Sequence, residues 1–147
     1  MPQGSRTGAE KVMFYWMLSN VNLLYVGLKV LILLDLSTLS RFWTQFEAWL
    51  SMQMATECGL EPAAEAVRRC EIIPIHNATD VNKNQLIDMW AKATPEQARD
   101  VLAKPDVQVT NQSDKDTQLN KLAVLNADVK RAFTATHTPL SRMTTGV

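Results

Sequence analysis

Apolar and polar positions alternate between two periods along this chain, and the switches mark its elements. From Ala9 to Leu24 the apolar residues Val12, Met13, Trp16, Met17, Leu23 and Leu24 recur at three and four. That spacing predicts a helix, broken near Ser19-Asn20 and stopped by Gly27. Val30–Leu34 is an unbroken apolar run of β type, which predicts a strand covered on both faces. From Leu39 to Thr56 the helical period returns, with Leu39, Phe42, Trp43, Phe46, Trp49 and Leu50 forming a wide apolar stripe. Cys58-Gly59 is expected to end that helix, and Glu61–Arg69 reads as a polar piece with a helical turn or two.

Glu71–Ile75 predicts a second strand, either at an edge or about to end, because Pro74 cannot donate to a ladder. Asp80–Lys92 predicts a helix with Leu86, Ile87 and Trp90 on one side. Thr94-Pro95-Glu96-Gln97 has the form of a helix start, with Thr94 as N-cap, Pro95 at the first position and Gln97 reaching back. That helix should end near Lys104, before Pro105. Val107–Val109 predicts a short third strand. Ser113 to Asp116 has a capping-box pattern that would open a last helix facing inward through Leu119, Leu122, Leu125 or Asn126, Val129 and Phe133. Strands separated by helices imply parallel pairing. The expected fold is therefore α/β, a small parallel sheet of about three strands flanked by helices. Residues 1–8 read as a disordered lead, 9–135 as one domain and 136–147 as a flexible tail.

Composition narrows the function classes. The 147 residues carry 15 basic and 15 acidic side chains. A neutral chain lacks the electrostatic footprint of a nucleic-acid binder, and neutrality favours association over solubility. Val21–Leu36 holds Asn22, Gly27 and Lys29, and it meets Asp35 before completing the roughly 20 apolar residues of a span, so no membrane span is expected. The N-terminal residues show no signal-peptide pattern. Cys58 and Cys70 then read as free thiols in a reducing, cytoplasmic setting. Two cysteines with the distant His76 and His137 do not form a metal pattern.

Candidate chemistry gathers where strands end. The carboxyl edge of the sheet should bring together Asp35, His76-Asn77 and Thr110-Asn111, with the helix starts at Ser37–Ser40 and Asp80–Asn82 offering N–H groups to a phosphate. Asp35 is also an ordinary turn or capping residue, and His76 an ordinary loop histidine. Glu47 shares a helix face with Trp43, Leu50 and Met54. Its apolar neighbours imply a carboxylate with a raised pKa or a partner; a boundary glutamate paired with Lys or Arg is the other reading.

The run VLILLDLSTLSRFWTQFEAWL resembles the middle of a TIR domain. In that family a strand leads through a Ser-rich turn into a helix carrying a tryptophan and, four residues later, a glutamate, as Trp43 and Glu47 stand here. The strand–helix–strand that opens the family's fold has no counterpart before Lys29, so the resemblance implies a TIR/flavodoxin-like domain without it. Two functions follow from the resemblance. One is protein–protein association in signalling, with another protein or with itself. The other is cleavage of the nicotinamide–ribose bond of NAD, with Glu47 as the catalytic carboxylate and Asp35, Ser37, Ser40, Trp43 and His76 around the nucleotide. NAD would then be a substrate, and no cofactor or metal is implied.

Overall fold

The computed structural model describes residues 7–137. The expectations for residues 1–6 and 138–147 lie outside the described residues. Helix α1 (Gly8–Asn20) starts inside the expected lead, because Thr7 caps it: the Thr7 N–H donates to Glu10 Oε2 at 2.7 Å and the Glu10 N–H to Thr7 Oγ1 at 3.3 Å. The expected break holds. α1 ends at Asn20 and α2 (Asn22–Gly27) follows after one residue, ending at Gly27.

Strand β1 (Val30–Leu34) is followed by a 3-10 turn over Leu36–Ser40 and by helix α3 (Phe42–Ser51). α3 is shorter than its apolar period suggests. Ser51 Oγ bonds back to the Ala48 carbonyl at 2.8 Å, Met52 leaves helical geometry, and the chain turns into a hairpin of β2 (Gln53–Thr56) and β3 (Gly59–Pro62). Gly59 is thus a hairpin glycine and not a helix stop. Its φ of 111° suits only a residue without a side chain, and its open face lets Asn126 approach so that Oδ1 accepts the Leu60 N–H at 2.7 Å. Glu65–Val67 forms a single 3-10 turn within the stretch expected to be partly helical.

Strand β4 (Cys70–Pro74) pairs in parallel with β1, Val30 opposite Cys70 and Leu34 opposite Pro74. The antiparallel β2–β3 hairpin forms a separate sheet. The architecture is therefore mixed α/β, with two two-stranded sheets where one parallel sheet of about three strands was expected. The expected third strand at Val107–Val109 reduces to one bridge, Gln108 with Arg41, held by Gln108 N–H to the Ser40 carbonyl and Phe42 N–H to the Gln108 carbonyl, each 2.8 Å. Pro105 and the turn after it leave too little extended chain for a ladder.

Helices α4 (Asp80–Trp90), α5 (Pro95–Leu102) and α6 (Gln112–His137) complete the chain. The Thr94–Gln97 capping box forms as expected, with Pro95 first. The last helix opens two residues earlier than expected, because Asn111, not Ser113, takes the cap position, its Oδ1 accepting from Ser113 N at 3.2 Å and Ser113 Oγ at 2.8 Å.

The core lies between α3 and the elements around it. Phe42, Phe46, Trp49 and Leu50 of α3 are fully buried with Leu34 of β1, Leu86 and Trp90 of α4 and Leu102 of α5. Both indoles find acceptors, as buried Trp requires. Trp49 donates to the Ala93 carbonyl at 2.9 Å and Trp90 to Gln45 Oε1 at 2.7 Å, while Gln45 in turn donates to the Leu39 carbonyl. The buried Lys115 ammonium donates to the Lys104 and Val107 carbonyls at 2.7 and 3.0 Å and stands 5.9 Å from the Phe42 ring centre. One expectation about β1 fails. Its apolar run is covered on one face only, since Leu31, Leu33 and Ile73 of the outer face stay exposed while Leu34 and Ile72 are buried. Leu34 and Ile72 join the core cluster that the α3 side chains fill, and α4 packs against β4, while the outer face stays about half exposed.

Candidate functional site

The β1–β4 register carries the candidate residues to one edge. Asp35 directly follows β1, and His76 follows β4 after Ile75, whose N–H donates to the Leu34 carbonyl at 2.9 Å. The two thus leave adjacent parallel strands at the same end. His76 is exposed and holds a φ of 54° at the corner of the Ile75–Ala78 turn. Left-handed geometry at a non-glycine residue is uncommon.

Asp35 caps the 3-10 turn. Its Oδ1 accepts from Ser37 Oγ at 2.7 Å, from the Thr38 N–H at 2.9 Å and from Thr38 Oγ1 at 3.2 Å. The Ser37 hydroxyl and then the Thr38 N–H hold its carboxyl below the usual range. Ser40 Oγ donates to the Ser37 carbonyl at 3.1 Å. The turn's leading N–H groups, which the sequence offers to a phosphate, are thus already turned toward a carboxylate of the chain itself. At the start of α4, Asn82 Oδ1 accepts from both the N–H and the hydroxyl of Thr79 at 3.0 Å.

Trp43 packs edge-on against Phe42, centroids 5.5 Å apart, and keeps 39% of its surface exposed. Glu47, one turn further along α3, is half-buried. Burial raises its pKa, and a hydrogen bond from the Tyr25 hydroxyl opposes that rise. Tyr25 is pushed up to about 12, by its own burial first and then by the carboxylate beside it. The sequence reading misses this partner. Neither the helical stripe of α3 nor a Lys or Arg supplies it; it comes from α2, across the α2–α3 contact. Tyr25 precedes the amino end of β1, whereas Asp35, Ser37, Ser40 and His76 lie at the carboxyl end. Among the described contacts, none joins Glu47 to that group. The turn itself packs on the start of α3, where Thr44 Oγ1 donates to the Thr38 carbonyl at 2.8 Å and Gln45 Nε2 to the Leu39 carbonyl, so Trp43 follows the turn directly while Glu47 lies one helical turn further on, against Tyr25.

The more prominent surface feature is one the sequence pattern does contain. In α1 the apolar positions run all round the helix, and Val12, Met13, Tyr15, Trp16, Met17 and Leu18 are each close to half exposed or more. Between α1 and α2 lies an apolar cavity of about 430 Å³, walled by Trp16, Met17, Leu23 and Leu24 among others. At 13 residues, α1 is about 20 Å long, short of the ~30 Å hydrocarbon core of a bilayer. No described helix is long and apolar enough to cross a membrane. No group of three or more His, Cys, Asp or Glu side chains among the described residues could hold a metal ion. No protein-family model, no curated protein and no solved structure matches this chain.

Proposed function

We propose that this chain is a TIR-like association module that pairs with a second copy of itself through α1 and the adjoining α2. The observation that carries the reading is the exposure of α1: Val12 is 71% and Trp16 64% exposed on a helix with only Glu10 and Lys11 as charged residues. Contiguous apolar surface rimmed by polar residues marks interaction sites on folded proteins. A tryptophan beside an open apolar cavity has the form of an interface anchor and its pocket. A chain of zero net charge meets no long-range repulsion from its own copy. Sedimentation of the protein across a dilution series tests this. Dimers or larger species that dissociate on dilution are expected, with Trp16→Glu weakening association about tenfold or more, as loss of a central aromatic anchor does. A monomer at every concentration would overturn the reading.

The half-buried Glu47, with its raised pKa, favours a second reading, cleavage of NAD at the nicotinamide–ribose bond. A carboxylate beside the sugar would stabilise the positive charge that develops there. Nicotinamide release that vanishes in Glu47→Gln supports this second reading. Association that persists in Glu47→Gln, with no nicotinamide released by the native chain, supports the first.

A further inference from the structure

The amino ends of β1 and β4 hold a second, differently built cavity. It measures about 290 Å³ and is lined by Lys29, Val30, Leu31, Arg68, Arg69, Cys70 and Glu71. Three of these carry positive charge and one, Glu71, negative. The parallel register makes the cluster: Val30 lies opposite Cys70, and the Val30 N–H donates to the Arg69 carbonyl at 2.9 Å, so Lys29 and the two arginines enter the strands side by side.

Among the described residues no ion pair is found for Lys29, Arg68 or Arg69, and Glu71 is the single acidic residue of the lining against three cations. Arg69 Nη2 donates to the Gln53 carbonyl at 2.7 Å, which fixes that guanidinium between the hairpin and β4. The Nε atoms of Arg68 and Arg69 are both buried with no hydrogen-bond partner. Buried donors on charged groups are costly to leave unmet, and half-buried like charges converging on one cavity raise that cost. An oxyanion in the cavity would balance the surplus charge, with its oxygens accepting from the Lys29 ammonium and the outer guanidinium nitrogens, since the two closed-off Nε atoms lie out of its reach.

We propose that this cavity binds a phosphate group. Its volume lies at the small end of ligand sites, about 300 Å³, which suits a phosphate or a small phosphate ester better than an acidic peptide. The strand-end crevice singled out by the sequence is at the opposite edge of the sheet, where Asp35 occupies the cap. The site stands independently of the association surface.

Cys70 provides the readout. It is a free, half-buried thiol in the cavity wall, while Cys58 is free and exposed elsewhere. Alkylation of the full chain by iodoacetamide, followed by mass spectrometry, would be measured against added inorganic phosphate and, separately, adenosine monophosphate. Sodium chloride at matched ionic strength controls for screening. Saturable protection of Cys70 with Cys58 unchanged is expected. Lys29→Gln, at an exposed position that leaves the core untouched, should weaken that protection about tenfold, as should Arg68→Gln, the usual cost of losing a charge-assisted bond. Stronger protection by adenosine monophosphate identifies an ester as the ligand, and equal protection identifies free phosphate. Protection by chloride alone, protection by polyglutamate but not phosphate, or protection unaltered in both variants would each overturn the proposal.

Discussion

Glu47 carries its proton more tightly in the folded chain than a free glutamate does, because burial outweighs the Tyr25 hydrogen bond. A carboxyl whose folded pKa lies above its unfolded value contributes stability below the unfolded value, near 4.5, and loses it as pH rises through the folded pKa. Glu47→Gln keeps a neutral acceptor for the Tyr25 hydroxyl at every pH. The melting temperature of Glu47→Gln, measured relative to the native chain, should therefore rise as pH increases from about 4 to 7. A difference that stays flat over that interval would mean that the side chain is as well solvated folded as unfolded. The raised pKa was readable from the sequence, since Trp43, Phe46 and Leu50 flank Glu47. Its partner was not, because a tyrosine in a separate helix reaches α3 only through tertiary packing.

Among the elements, those with local signals form where the pattern puts them. Periodicity places α1 with its break, β1, α4, α5 and most of α6, and Thr94-Pro95 marks one start to the residue. The β2–β3 hairpin escapes the same reading, because Met52 and Met54 prolong the apolar stripe of α3 and hide the change of period. Gly59 decides the matter instead. Gly59→Ala should destabilise the protein by about 2 kcal/mol or more, from the strain of its φ and the lost Leu60–Asn126 hydrogen bond. Denaturant unfolding measures this, and a change below about 0.5 kcal/mol, the level of an ordinary surface substitution, would show that the hairpin is not held in that way. The basic cavity is a further case. Arg68 and Arg69 are neighbours in sequence, but only strand pairing brings Lys29 to them.

At the scale of the whole molecule, polar and apolar chemistry are kept apart. The amino edge of the parallel sheet is cationic, the carboxyl edge is a self-capped turn with an exposed histidine, and α1 is an unburied apolar helix. The outer face of β1 and β4 adds a second uncovered apolar area through Leu31, Leu33 and Ile73. Composition hints at this only through its zero net charge. It cannot tell which apolar run stays outside, since β1 and α1 are each as apolar as buried elements are.

The four indoles divide evenly between these environments, with Trp49 and Trp90 fully buried and Trp16 and Trp43 well exposed. The protein therefore carries an intrinsic optical reporter with two populations. Iodide, which does not penetrate a packed interior, should quench the emission of one population and spare the other. If α1 meets another copy, concentrating the sample should shift emission to shorter wavelength and shrink the quenchable fraction. In Trp16→Phe the residual quenching, from Trp43 alone, should be independent of concentration.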